Sequence, residues 1–201
     1  MVLKRLESST LSGGRHVGFA VLVDGAPLSI YECGGKYYCA TPLGKEYELE
    51  LFVPTIGRYL FRGSIDGLDI VTGKRSINND GGYVVSNPLT SSGNKLLGFR
   101  LDNKRVARFQ FSSVEEGAVI AQPNNMGVIA FDVYSEFVTG FRGSDSRALH
   151  DVSTSLGRIV DHEVETASFF EDELIANLVL EYASAESLVE AGIIKPSLLE
   201  M

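Results

Sequence analysis

Between Arg58 and Ser86 the chain reads RYLFRGSIDGLDIVTGKRSINNDGGYVVS, a series of short apolar runs punctuated by Asp66-Gly67, Thr72-Gly73 and Asn78-Asn79-Asp80-Gly81-Gly82. Such pairs enter left-handed turn conformations at low cost, so a stretch written this way specifies short antiparallel strands joined by tight turns. The 21 glycines among 201 residues fit the same turn-rich character. A chain of this length can bury a full core as one all-β domain, or as a domain with an appendage.

The same grammar extends outward. His16 to Val23 ends at Asp24-Gly25, and Leu28 to Glu32 and Lys36 to Ala40 flank Gly34-Gly35. Glu46 to Val53 alternates strictly, with Tyr47, Leu49 and Leu51 on one face and three glutamates on the other, the signature of a strand with one buried and one wet face. Leu96 to Leu101 and Val106 to Phe111 bracket Asp102-Asn103, and Met126 to Tyr134 is a long apolar strand suited to a sheet centre. Leu49, Leu51, Phe109, Phe111, Val128 and Phe131 are the predicted core, with Phe52, Phe61 and Phe99 also expected inside.

Residues 1–14 have no stable period and read as a flexible N-terminal arm, in which Val2, Leu3, Leu6 and Leu11 are spaced as possible partner contacts. Residues 15–138 form the predicted β-sandwich domain. Gly, Ser and Asp interrupt residues 139–157, the predicted loop or linker, and residues 158–201 supply C-terminal strands, Arg158 to Phe169 and Leu174 to Ala183, packed on the same domain. Glu171 to Glu173 is the expected turn between them. Ser184 then caps a short helix, Ala185 to Ala191, stopped by Gly192. About ten strands and one terminal helix predict an antiparallel β-sandwich or a jelly-roll-like barrel.

Chemistry is harder to find. A net charge of −8 disfavours nucleic acid as the main ligand, because phosphate neutralisation needs clustered cations; Lys104, Arg105 and Arg108 read as a solvated strand end. No apolar run reaches the ~18 residues of a membrane-spanning helix, and the polar N-terminus does not resemble a signal peptide, so the expected location is a virion or the cytoplasm. Cys33 and Cys39 flank a tight Gly34-Gly35 loop that pairs Cys33 with Lys36 and Cys39 with Ile30, which predicts free thiols; two sulfurs alone make no zinc site.

Asp66 and Asp69, and the Asn78 to Gly82 cluster, offer oxygens to a hard cation, but turn chemistry explains both without one, so no metal or cofactor is expected. His16, His150 and His162 have acidic neighbours only in sequence, and adjacent strand residues face opposite ways. No G-x-S-x-G nucleophile pattern occurs. No catalytic residue is therefore assigned.

The succession SIDGLDIVTGK (Ser64 to Lys74), GGYVVS (Gly81 to Ser86), GFR (Gly98 to Arg100), VARFQFSS (Val106 to Ser113) and MGVIAFDVY (Met126 to Tyr134) resembles a family of small proteins of bacteria and phages. That family carries S-V-D-G-L, G-K, G-Y, a G-W-R-like turn, F-x-F-S-S and N-V-G-V-I-G-V, and LVLEYASAESLVEAGI (Leu178 to Ile193) is similar to its strand-then-helix ending. Phe99 stands where that family has Trp, Ala130 where Gly is common, and residues 76–80 diverge. The resemblance implies a shared β fold and a bacterial or phage origin, and it carries over no functional residue.

The resulting expectation is a non-enzymatic structural or interaction protein, such as a capsid decoration or minor structural protein of a phage virion, with protein partners or further copies of itself. The alternatives are a carbohydrate- or surface-binding module, for which Tyr37 and Tyr38 are candidate platform rings, and a hydrolase with an unrecognised site.

Overall fold

The computed structural model describes residues 2–8, 16–54, 57–75, 81–86, 94–113, 126–136, 153–162 and 167–196. Its strands are β1 (Val2–Leu3), β2 (Leu6–Glu7), β3 (Gly18–Val23), β4 (Ala26–Pro27), β5 (Ile30–Cys33), β6 (Lys36–Ala40), β7 (Glu46–Phe52) and β8 (Arg58–Ile65). There follow β9 (Leu68–Asp69), β10 (Tyr83–Ser86), β11 (Lys95–Leu96), β12 (Gly98–Arg100), β13 (Arg105–Ser112), β14 (Val128–Glu136), β15 (Ser153–Asp161) and β16 (Glu171–Ala183), then a helix, α1 (Ala185–Glu190).

Two sheets share them. The first runs β1-β5-β6-β16-β14-β8-β10, with β9 folded back on β8. The second centres on β13, which has β15 along one edge and β12 and β7 along the other; β3 follows β7, and β2 and β4 border β3. β7 and β13 diverge beyond a short contact, and β11 and β12 fill the fork, one pairing with β7 and the other with β13. Among the described residues all pairings are antiparallel except that of β6 with β16.

The layers meet through alternating inward rows, because every second residue of a strand faces the opposite sheet. Phe131 of β14 lies between Phe19 of β3, at 5.1 Å and edge-on, and Phe61 of β8 at 5.7 Å. Phe111 of β13 stacks on Tyr47 at 4.1 Å and tilts against Tyr182 of β16 at 5.5 Å. Gly63 makes room for this row, since a Cβ there would stand 2.5 Å from the Phe131 ring. Burying each aromatic ring contributes ~1.5–3 kcal/mol.

The expected all-β sandwich is thus the architecture, and no barrel closure is found among the described residues. Leu49, Leu51, Phe109, Phe111 and Phe131 join one buried cluster. Val128 is buried but lies outside that cluster, because Ile129, Phe131 and Val133 take the inward positions of β14. Phe52 follows the inward Leu51, so it turns outward and lies under the Arg5 guanidinium at 5.0 Å.

Three boundaries are corrected. Residues 2–8, expected as a flexible arm, form β1 on β5 and β2 on β3, because Leu6 finds a buried slot in the protein's own core. Strand β15 begins at Ser153, inside the expected linker, because its pairing with β13 rather than its own polar composition sets its start. Glu171 to Glu173, expected as a turn, open β16, where Glu171 is paired with Glu136 and ion-paired to Arg62. Residues 137–152, most of the expected linker, lie outside the described residues.

Local signals read correctly elsewhere. Ile30 pairs with Cys39 and Cys33 with Lys36, leaving both thiols free. Ser184 caps α1 through its side chain to the Ser187 N–H at 3.1 Å, and Gly192, at φ 72°, ends it.

Candidate functional site

Tyr47 and Tyr182 stand in inward rows otherwise filled by Leu and Phe, and a phenol placed there needs a buried hydrogen-bond partner. Both find Thr154. The Tyr47 hydroxyl lies 2.7 Å from Thr154 Oγ1, which lies 2.7 Å from the Tyr182 hydroxyl. Tyr182 in turn donates to the carboxyl group of Asp66, 2.9 Å from both of its oxygens.

Asp66 occupies the turn between β8 and β9, with φ 54°, and Gly67 follows at 74°. This is the tight turn the sequence specifies, but its side chain is not on the surface. It points inward, with 0% of the residue exposed, and collects peptide donors from two other segments. Oδ1 accepts from the Gly127 and Val128 N–H groups at 2.8 and 3.3 Å, and Oδ2 accepts from the Thr154 N–H. The Asp66 N–H itself donates to the Val128 carbonyl at 2.9 Å. One carboxyl thus ties the β8–β9 turn to the starts of β14 and β15 and to the end of β16.

Burial sets the electrostatics of this group. Removal from water pushes the Asp66 carboxyl up to about 7, opposed by the donors from Thr154, Tyr182, Val128 and Gly127, in that order. Burial likewise holds the Tyr47 and Tyr182 phenols well above their ordinary range. The four side chains form an unbroken hydroxyl chain ending on a carboxyl, an arrangement able to pass a proton along its length but buried at every member.

The outer face of the first sheet is built differently. Arg62 of β8 forms a forked pair with Glu171 of β16 and lies 5.4 Å from the Tyr134 ring centre, while Arg58 pairs with Glu136. Lys36 reaches the buried Glu181 at 2.8 Å. On the second sheet Arg108 pairs with Glu48 at 3.0 Å, and Arg105 with Asp102, so two of the three cations read as a solvated strand end are held in ion pairs.

The remaining sequence candidates are dispersed. Leu3 packs at the rim of the core, Leu6 is buried within it, Val2 is exposed on β1, and Leu11 lies outside the described residues. Asp69 accepts from the Val71 and Thr72 N–H groups and the Thr72 hydroxyl, which is turn chemistry. His16 contacts the Ser8 carbonyl at 3.0 Å; His150 and Asn78 to Asp80 lie outside the described residues. Among the described residues, no three His, Cys, Asp or Glu side chains gather as metal ligands. Tyr37 and Tyr38 are half-buried against the core cluster.

The surface offers strand edges instead. β15 is nine residues long, and among the described residues it pairs only with β13. On it Leu156 and Ile159 are 50% and 59% exposed, although they pair with the buried Phe109 and Ala107. β16 carries β14 along one side and, among the described residues, meets β6 on the other from Glu181 onward; Phe170 and Leu174, at its opposite end, are exposed.

Sequence reasoning placed Asp66 in its turn but missed Tyr47, Thr154 and Tyr182 as its network. The available signal was the pair of tyrosines in apolar rows. Comparison with protein-family models, with curated proteins and with solved structures finds no match to this chain.

Proposed function

We propose that this chain is a non-enzymatic structural or interaction protein that acts by joining its sheet edges to protein partners, in the manner of a capsid decoration or minor structural protein of a phage virion. The observation that carries the reading is β15, a nine-residue strand that among the described residues is paired along one edge, with two half-exposed aliphatic side chains on its core-facing side. An unpaired strand edge is a template for a further strand, and natural β proteins usually shield one of this length. Strand addition at such an edge draws affinity from main-chain hydrogen bonds and specificity from alternate side chains.

The interior supports the same reading. The polar constellation with the most chemical capacity, Asp66 with its hydroxyl chain, is sealed and stitches strands together. The virion setting rests on the resemblance of Ser64 to Tyr134 to the bacterial and phage family, and the edge argument stands without it.

The double variant Leu156→Asp, Ile159→Asp tests the reading. It should keep the far-ultraviolet spectrum and thermal midpoint of the parent, yet lose self-association in sedimentation and lose co-purification with virus particles. A parent protein that is monomeric at all accessible concentrations and absent from purified particles overturns the proposal.

A further inference from the structure

The Asp66 junction does more than tie strands, because what it holds on the β15 side is the leading end of the strand that the assembly reading offers to partners; the inference itself does not depend on that reading. One Asp66 contact runs directly to that strand, and a second link reaches the same residue through the Tyr182 hydroxyl. The Thr154 N–H donates to Oδ2, and Thr154 Oγ1 sits within the hydroxyl chain. Two residues further, Leu156 is half exposed, so the anchored end gives way quickly to an uncovered strand.

The groups facing the carboxyl decide how it responds to protons. From β16 it meets the Tyr182 phenol, and beyond Thr154 the Tyr47 phenol of β7. β14 contributes only the Gly127 and Val128 N–H groups, and β15 the Thr154 N–H and hydroxyl. Asp69, at the end of β9, is occupied with Val71 and Thr72 of the following turn. Among the described residues no Lys, Arg or His pairs with Asp66, so nothing of opposite charge offsets burial of a carboxylate.

We propose that Asp66 is a pH-operated latch on the leading end of β15, closed when its carboxyl is protonated and loosened when it ionises. When the strand end lifts, water reaches the carboxyl and its affinity for a proton falls to that of an exposed aspartate. The docked state therefore binds the proton more tightly than the lifted state. Rising pH favours lifting, from about pH 4, where an exposed carboxyl ionises, to about 7, where the docked one does. The lifting equilibrium grows up to roughly tenfold per pH unit across that window and levels off above it.

Amide hydrogen exchange on the whole chain reads this directly. Protection factors for residues 153–161, corrected for the intrinsic pH dependence of exchange, should fall up to roughly tenfold per unit between pH 4 and 7 and then level. They should also stay below those of β14 at every pH, which marks a local opening. In Asp66→Asn the decline should vanish. Tyr182→Phe keeps the carboxyl but removes a donor that favours its ionised form, so levelling should move to higher pH. Protection of β15 that ignores pH, or that equals β14 throughout, overturns the latch. A decline that persists in Asp66→Asn does the same, and where that variant fails to fold, an unmoved levelling point in Tyr182→Phe does so.

Discussion

Asp24-Gly25 and Asp66-Gly67 are the same two residues in the same backbone shape, with φ of 51° and 79° in one turn and 54° and 74° in the other. Each closes a two-residue hairpin, β3 to β4 and β8 to β9. Their side chains have opposite fates. Asp24 is 75% exposed at its side chain and meets Lys45 at 3.0 Å in open solvent, whereas Asp66 is fully buried and receives donors from three other strands or their leading residues. A dipeptide sets the turn, and what the turn's carboxylate does is settled by segments 61 to 116 residues away.

Glycine tests the contrast cleanly, since it suits a positive φ and removes only the carboxylate. At pH 5, Asp66→Gly should cost ~4–6 kcal/mol in urea unfolding, because three peptide donors lose their acceptor in the interior at ~1–3 kcal/mol each. Asp24→Gly should cost less than ~1 kcal/mol, the ordinary worth of an exposed ion pair. Equal losses at the two turns would erase the distinction drawn here.

Proton linkage provides a second separation. The unfolded chain ionises Asp66 near the usual 3.8, whereas in the fold burial raises it to about 7, so the folded state holds the extra proton in between. Stability from this group is complete below about pH 4 and declines as pH rises through 7, by about 4 kcal/mol at most for a shift of roughly three units. Subtracting the Asp66→Asn stability curve from the parent's should isolate that slope. A difference curve that rises with pH contradicts the assignment.

The smallest effect comes from removing one side-chain donor from each carboxylate. Tyr182→Phe keeps the ring beside Phe111 and should lose ~1–2 kcal/mol, while Lys45→Met at the exposed turn should change stability by ~0–1 kcal/mol. Chemical denaturation of both variants under one buffer checks the ordering.

What the sequence reveals follows the same division. The Asp-Gly turns, the alternation of Tyr47, Leu49 and Leu51, the Cys33 and Cys39 register and the Ser184 cap are all decided within a few residues, and all are legible. The start of β15 at Ser153 is not, because STSLG has no alternation of its own and takes its register from Arg105–Ser112. Leu6 reads as an arm anchor because its buried slot is built by strands that its own neighbours do not announce. The network around Asp66 was hidden for the same reason, and only the tyrosines among leucines hinted at it.

The parallel pairing of β6 with β16 has a consequence for how the molecule comes to be made. β16 lies between β6 and β14, so residues 171–183 separate two strands synthesised well before them, the partners Tyr38 and Glu181 being 143 positions apart. At roughly 5–20 residues per second, translation leaves the inner margins of β6 and β14 without their shared neighbour for several seconds. Non-local pairing of this kind slows folding and exposes strand margins to wrong partners meanwhile. The nascent chain thus passes through an interval in which it is most in need of a holding chaperone, and that interval ends when β16 slides in.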